Sequence, residues 1–433
     1  MEMLGMFIFY LKSATHSLLR NRVLTALIIV AIAFGIGASM TVFSIFRTMS
    51  GDPIPWKSAQ LFVPRIDTRP PGKHQDGIPD LLSYQDAMEL RHAKIVAHQT
   101  PLYTLALHLM PEDINLLPQH VVGVAVDRDF FHLFDVPFRY GSPWAVENGD
   151  DGSNVVVIGK RLNDRLFGGK DSLGQSLNLD GTKYRVVGVI KNWDPQPRLY
   201  NLLNAPYGDS EDFFIPFSTA VEHKIAPRGA TSCSEAWSER LGAVCTWILV
   251  WVEATTPSDA QHYRDFLADY AMEQQRLGRF SWLPSASLSN ARDWLEEKHI
   301  VPTETRLSLI LAFGFLTVCL VNGVVLMMAK FLSRDRETAI RRALGATRTI
   351  VFSQFLVEAG VIGALAGVLG LGLTAVGLAF ERSLLPKEMA RVTALSPAVI
   401  GMTFWLAVFA TVCAGLYPSW RGSIVEPAVQ SKT

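Results

Sequence analysis

Four apolar segments, each long enough to cross a membrane as a helix, constrain this chain more than any other feature. A hydrocarbon core about 30 Å thick needs about 20 apolar residues in a helix. The segments lie at residues 23–46, 306–332, 350–380 and 397–416. Apolar residues make up 49% of the chain and charged residues 18%, which is typical of a membrane protein with an additional polar part. A cleavable signal peptide is the alternative interpretation of the first segment. Its apolar region is too long for one, so we expect an uncleaved anchor.

The distribution of basic residues predicts the orientation of the four segments. Lys and Arg are retained on the cytoplasmic side of membrane proteins. They flank the predicted inner ends at Lys12, Arg20, Arg22, Lys330 and Arg421, and five arginines lie in the turn at 333–349. We therefore expect four crossings with both termini cytoplasmic. The remaining predicted segments are an interfacial amphipathic helix at 1–22, an outer polar region at 47–305, a short outer loop at 381–396 and an inner tail at 417–433.

The outer polar region predicts a folded α/β domain. Alternating apolar residues and turn signals predict strands at 61–66, 102–109, 154–158, 175–179, 183–190 and 246–253. Asp180 and Gly181 between two of these strands are the strongest hairpin signal. Helices are expected at 83–93 and 257–277, with a stalk helix at 287–299.

The four cysteines divide between the membrane and the polar region. Cys319 and Cys413 lie in apolar segments, where a free cysteine is most simply a small apolar residue. Cys233 and Cys245 lie close together in the outer region. In an oxidising compartment they would form a disulfide contributing about 3 kcal/mol; the alternative is two unrelated thiols.

The sequence lacks the patterns that are typical of several classes of function. No GxxxxGK[ST] loop occurs, so this sequence has no such machinery for ATP hydrolysis, and neither GxSxG nor HExxH is present. The ten histidines show no spacing typical of metal ligands, so no metal site is predicted. Zero net charge argues against a nucleic-acid partner. We expect a chain that is not an enzyme and that binds no cofactor.

The basic turn at 333–349 is the strongest candidate for a functional segment. Its helical periodicity places Ile340, Ala343 and Leu344 on one face and most arginines on the other, and Gly345 suits a helix end. Two roles remain open on physical grounds. The turn either docks a soluble partner or anchors in lipid headgroups.

A resemblance to a known family bears on that choice. The run Arg336-Glu337-Thr338-Ala339-Ile340-Arg341-Arg342-Ala343-Leu344-Gly345-Ala346, followed by Gln354-Phe355-Leu356-Val357-Glu358-Ala359, resembles the MacB/FtsX-type ABC transporter permeases. In that family the stretch after the second membrane helix is the coupling element that docks into the ATPase. The resemblance therefore implies coupling roles for Arg336, Glu337, Ile340, Arg341, Arg342, Leu344, Gly345 and Ala346.

The outer region also resembles the periplasmic part of the MacB family. The similar blocks are residues 122–131, 165–169 and 184–189. The resemblance implies a β-α-β, porter-like subdomain from 58–118 and 244–300, and an inserted β-rich lobe from 119–243.

Polar and small residues inside the apolar segments are further candidates. Glu358 shares a helix face with Gln354 and is either a functional acid or a structural partner of Lys330 or Arg348, unless it reaches water by snorkelling. Asn322 is interpreted as a hydrogen-bonding contact between helices rather than a substrate ligand. Small residues that allow close packing against another helix, including that of a second copy, are Gly35, Gly37, Ala38 and Ser39, unless they simply face lipid.

The resemblance implies a permease subunit in a bacterial inner membrane that works by mechanotransmission. ATP and Mg would bind a separate ABC ATPase dimer, and the permease would pair with a second copy or a homologous permease, surrounded by membrane lipids. Export of a peptide, drug or other periplasmic substrate, with a periplasmic adaptor and an outer-membrane channel, is one expectation. The alternatives are a lipoprotein-extracting permease, an FtsX-like regulator of an extracytoplasmic partner, and a membrane sensor with no ATPase.

Overall fold

The structure is a computed structural model that describes residues 17–18, 20–69, 78–110, 117–145, 153–204, 206–229, 231–232, 237–242, 245–298, 301–384 and 397–424. The chain forms two compact units, which we call the helical unit (Met1–Ser50 with Val301–Thr433) and the sheet unit (Gly51–Ile300). Most of the predicted amphipathic segment at 1–22 lies outside the described residues, as do the loop at 385–396, the tail from 425 and Cys233.

The helices and strands are defined here in chain order. The helices are α1 (Arg22–Ser50), α2 (Tyr84–Ala93), α3 (Asp129–Leu133), α4 (Lys160–Phe167), α5 (Phe217–Glu222), α6 (Trp237–Gly242), α7 (Pro257–Arg276), α8 (Ala291–Glu297), α9 (Thr303–Leu332), α10 (Asp335–Ala343), α11 (Arg348–Leu384) and α12 (Pro397–Ser423). The strands are β1 (Leu61–Asp67), β2 (Gln99–Met110), β3 (Gln119–Val126), β4 (Phe138–Gly141), β5 (Val155–Ile158), β6 (Ser176–Leu179), β7 (Thr182–Ile190), β8 (Phe213–Pro216), β9 (Leu249–Glu253) and β10 (Ser285–Asn290).

Four helices of the helical unit are long and apolar enough to cross a membrane, namely α1, α9, α11 and α12. This confirms the predicted four spans. Helices α1 and α11 extend beyond both ends of their apolar segments, α9 beyond the amino end of its segment and α12 beyond the carboxyl end. The extensions form because a helix satisfies its own backbone hydrogen bonds and therefore continues into polar flanks.

The core of the helical unit is built on one stripe of α1. Ile28, Ile32, Ile36 and Met40 recur every fourth residue and are fully buried. This spacing keeps them on one helix face. They belong to one apolar cluster with residues of α9, α11 and α12, including Met327 of α9. The first membrane helix is therefore held by the other three.

The sheet unit is organised around one ten-stranded mixed sheet. Nine strands follow the order β10-β1-β9-β2-β3-β8-β5-β7-β4, and β6 pairs with both β2 and β7. Successive side chains of β1 enter opposite apolar clusters, because Leu61 and Val63 belong to one cluster and Phe62 to the other. Both faces of the sheet are therefore buried, and each large apolar side chain contributes about 1.5–3 kcal/mol.

Most of the predicted local elements are present. The hairpin signal lies between β6 and β7, and both Asp180 (φ +47°) and Gly181 (φ +88°) have the left-handed backbone of a type I′ turn. The predicted stalk helix is wrong over its first part. Residues 285–290 form β10, which pairs with β1, and only α8 is helical, capped by the Asn290 side chain.

The sheet runs through both predicted subdomains of the outer region. Strand β2 from the predicted porter-like part pairs with β3 from the predicted inserted lobe over eight residues, from Leu102↔Val126 to Leu109↔Gln119. The hydrogen-bonded sheet is therefore continuous across the predicted boundary, which does not divide it.

Candidate functional site

A buried ion pair joins the end of α9 to the first part of α11. Lys330 Nζ lies 2.7 Å from Glu358 Oε1, and both side chains are 0% exposed. Arg334 Nη1 lies 3.1 Å from the other carboxylate oxygen. The Ser17 hydroxyl donates to Glu358 Oε1 at 2.5 Å and accepts from Arg334 Nη1 at 2.6 Å. Of the partners expected for Glu358, the structure selects Lys330; Arg348 is exposed.

A second carboxylate connects this buried group to α10. Glu337 accepts hydrogen bonds from Arg334 at 3.3 Å, from Arg341 at 2.7 Å and from Arg20 at 3.2 Å. Arg341 also donates to Gln354 of α11 at 2.8 Å. Charge-assisted hydrogen bonds of this kind are roughly twice as strong as neutral ones. One side of α10 is therefore fixed to the ends of α9 and α11.

The opposite side of α10 is exposed. Ile340 is 62% exposed and Leu344, the residue that ends the helix, is 83% exposed. Arg336 is also exposed, and the spacing of four residues places all three on one face. We call these three residues the docking face. The expected division of apolar and basic residues is thus only partly correct, because Arg336 shares the face of the apolar pair.

The end of α10 is a Schellman motif around Gly345. The Ala346 amide donates to the Arg341 carbonyl at 3.0 Å, and the Gly345 amide donates to the Arg342 carbonyl at 3.1 Å. Gly345 has φ +102°, a conformation that favours glycine. Ala346 is half-buried against the apolar cluster of the helical unit, and Arg342 is half-buried. The predicted helix end at Gly345 is therefore present.

The small residues of α1 pack inside the chain. A Cβ on Gly35 would lie 2.8 Å from Cys319 Cβ of α9, and one on Gly37 would lie 2.7 Å from Leu373 Cβ of α11. Ser39 Oγ donates to the Ala312 carbonyl of α9 at 2.7 Å. Predicting a contact with a second copy at these three positions is wrong, since helices of the same chain cover them. Ala38 is exposed.

Adding side-chain volume at Gly35 tests this packing. We expect Gly35→Val to force α1 away from α9 and to lower stability by about 1–3 kcal/mol, as overpacking does. The measurement is the midpoint of SDS-induced unfolding of the detergent-solubilised chain. Ala38→Val, on the exposed side of the same helix, is the matched control and should leave the midpoint unchanged. Equal midpoints for the two variants would contradict the packing.

Asn322 and the cysteines agree with their predicted roles to different degrees. Asn322 is exposed on α9 and makes no hydrogen bond to another helix among the described residues, so its role as a contact between helices stays a prediction. Cys319 is buried and free, as an apolar core residue should be, whereas Cys413 is exposed. The pairing of Cys233 with Cys245 stays a prediction, because Cys233 lies outside the described residues.

The sheet unit contains a side-chain cluster that the sequence did not reveal. Two of the histidines, which show no ligand-like spacing in the sequence, lie next to each other in the fold: the ring centroids of His98 and His132 are 4.0 Å apart. His132 Nε2 lies 3.1 Å from Glu253 Oε2. The three residues come from distant parts of the chain, so no local spacing could have indicated them.

Comparisons with known proteins agree on both parts of the chain. Residues 25–267 match the family described as MacB-like periplasmic core domain, and residues 309–427 match the FtsX-like permease C-terminal family. The uncharacterized ABC transporter permease YvrN of Bacillus subtilis is 22% identical over 96% of this chain and 98% of its own length.

Longer relatives match over part of their length. The macrolide export ATP-binding/permease protein MacB of Syntrophobacter fumaroxidans is 21% identical over 97% of this chain, which spans 63% of that protein. The pyoverdine export ATP-binding/permease protein PvdT of Pseudomonas fluorescens is 26% identical over 70% of this chain and 41% of its own length. The crystal structure of the periplasmic region of MacB from Actinobacillus actinomycetemcomitans covers 58% of this chain and 97% of that region, at 12% identity and a TM-score of 0.37.

Proposed function

The chain belongs to the family of permeases that carry a MacB-like periplasmic core domain and an FtsX-like C-terminal domain, and from this premise we propose that it is the permease subunit of an ABC exporter that works by mechanotransmission. The sheet unit would lie in the periplasm, with α10 and both termini in the cytoplasm. ATP and Mg would bind a separate ATPase dimer, since the sequence contains no GxxxxGK[ST] loop.

One observation carries the proposal, namely the two-sided construction of α10. Its docking face presents two apolar side chains and one arginine to a partner. Its other side is held through Glu337 and Arg341 to residues at the ends of α9 and α11. A displacement imposed on the docking face would therefore move the membrane helices on either side of α10, because charge-assisted hydrogen bonds hold α10 to the residues next to them.

The exported substrate would be handled outside the membrane. Glu358, the acid inside the third membrane helix, is occupied by Lys330 and Arg334 and is therefore a structural group in this proposal. By analogy with the names of the MacB and PvdT relatives, the substrate would be a drug-like, peptide or siderophore-like molecule. A periplasmic adaptor and a second permease copy belong to this proposal.

Affinity purification from the native host, followed by mass spectrometry, tests the docking face. We expect an ABC ATPase to co-purify with the wild type and to be lost with Ile340→Asp/Leu344→Asp, because two carboxylates would have to be desolvated in the interface. Leu117→Asp is the matched control, because Leu117 is also 83% exposed but lies in the sheet unit.

The outcomes separate the alternatives. An ATPase retained by the double variant would contradict docking through this face. If no ATPase co-purifies with the wild type or with any variant, and α10 stays associated with the membrane in all of them, the result would favour a role of α10 as a lipid anchor in a membrane sensor. Co-purification of a cell-wall hydrolase in place of an adaptor would favour a regulator.

A further inference from the structure

We propose that His98, His132 and Glu253 of the sheet unit bind a divalent transition-metal ion. One ligand atom from each side chain can be chosen so that all three lie within 4.8 Å of one another. Two imidazoles and one carboxylate form a donor set suited to Zn²⁺, Cu²⁺ or Ni²⁺. The proposal is independent of the export function and of the docking face.

Strand pairing fixes two of the three ligands. His98 directly precedes β2, and Glu253 is the last residue of β9, the antiparallel neighbour of β2. The Glu253 amide donates to the His98 carbonyl at 3.0 Å, which holds the two residues side by side. Their positions therefore follow from the sheet rather than from a loop.

The third ligand is positioned by the start of α3. His132 lies on this helix, whose first residue, Asp129, accepts a hydrogen bond from the Gln99 amide of β2 at 3.2 Å. The contact joins the helix to the strand that follows His98. All three ligands are thus held on backbone elements that are hydrogen-bonded to one another, as preorganised sites require.

The distances are close to those of a metal site. Ligands about 2.0–2.1 Å from a tetrahedral ion lie about 3.4 Å from one another. His132 Nε2 and Glu253 Oε2 are already 3.1 Å apart, and the three ligand atoms all lie within 4.8 Å of one another. Rotation of the exposed His132 side chain would close the remaining gap.

The charged groups directly paired with these residues are negative in sum. Lys57 Nζ lies 3.1 Å from Glu253 Oε1 and 3.5 Å from Asp135 Oδ1, and Asp129 Oδ1 lies 3.5 Å from His98 Nδ1. With neutral imidazoles, three carboxylates and one ammonium leave two negative charges. Lys57 occupies only one oxygen of Glu253, so the oxygen that faces His132 stays available.

One ring nitrogen in the group lacks a hydrogen bond. His98 Nδ1 is buried and has no hydrogen-bond partner among the described residues. Such a nitrogen is costly to bury unless something binds it. It would either bind the ion itself or, with the other nitrogen as ligand, face Asp129 as an orienting carboxylate of the kind found around zinc.

The group opens onto a large cavity of the sheet unit. His98 and His132 line this cavity, whose volume is about 1030 Å³. An ion held by three side chains has a fourth position free for an incoming ligand. The site is therefore suited to binding a metal-chelating molecule or a donor group of another protein.

Zinc titration of the intact chain tests the site. The full-length protein, purified in detergent without a polyhistidine tag, is titrated with Zn²⁺ against a chromophoric chelator. We expect one ion per chain, binding at least about tenfold weaker in His132→Gln and in Glu253→Gln. With Co²⁺ bound, the visible spectrum should show the absorption of a four-coordinate site, with three side-chain ligands and one further ligand.

The controls keep the result interpretable. His120→Gln alters a second histidine pair, whose ring centroids lie 5.8 Å apart, and should bind zinc as the wild type does. His132 is 54% exposed, so its replacement should not affect folding, whereas Glu253 is buried against Lys57. Thermal unfolding of each variant checks this. Equal zinc affinity in the wild type and His132→Gln, or equal losses in His132→Gln and His120→Gln, would overturn the proposal.

Discussion

Replacing Glu358 by leucine is expected to destabilise the helical unit by about 3–5 kcal/mol, the cost of leaving a buried charge without its partner. Lys330 is 0% exposed and its ammonium lies 2.7 Å from Glu358, so the cation could not reach water without moving α9. Arg334 would lose the same carboxylate but could still bind Glu337. The measurement is the midpoint of SDS-induced unfolding in detergent.

A second substitution distinguishes loss of the pair from loss of packing. In Lys330→Met/Glu358→Leu both charges are replaced by apolar groups of similar volume, which is often close to neutral in protein interiors. We expect the double variant to recover most of the stability lost in Glu358→Leu. A double variant at least as unstable as the single one would show that the pair itself does not explain the effect.

Replacing Glu337 by alanine is expected to separate ATPase binding from ATPase coupling. Glu337 accepts hydrogen bonds from Arg20, Arg334 and Arg341, and without it one side of α10 loses its fixation. The docking face would remain, so an ATPase should still co-purify. Its stimulation by the permease should fall about tenfold, which corresponds to about 1.4 kcal/mol.

The control for this prediction is Glu381→Ala near the end of α11. Glu381 is half-buried and has no ion-pair partner among the described residues, so it provides the same change of charge away from α10. Equal loss of stimulation in both variants would contradict the role given to Glu337. Loss of ATPase binding in Glu337→Ala would assign Glu337 to the docking face instead.

Features encoded within one short stretch could be predicted from the sequence. The four spans follow from uninterrupted apolar runs, the hairpin from Asp180 and Gly181, and the end of α10 from Gly345. In each case the interactions that determine the structure lie within one continuous stretch of the chain. The resemblance to known permeases added the expectation of a coupling role for residues 336–346, which periodicity alone left open.

Features that depend on distant pairing could not be predicted. Glu358 had two expected cationic partners, and only helix packing shows that Lys330 is the one. Small residues of α1 are suited to any neighbouring helix, so their sequence could not tell α9 and α11 from a second copy. His98 and Glu253 are adjacent only because β2 pairs with β9. These two strands are far apart along the chain of the sheet unit.

The most direct test of the central claim is ATP hydrolysis by the co-purified ATPase, reconstituted in proteoliposomes with this chain. We expect the wild type to raise the hydrolysis rate and Ile340→Asp/Leu344→Asp not to raise it, while Leu117→Asp should behave as the wild type. Equal stimulation by the wild type and the docking-face variant would contradict coupling through α10.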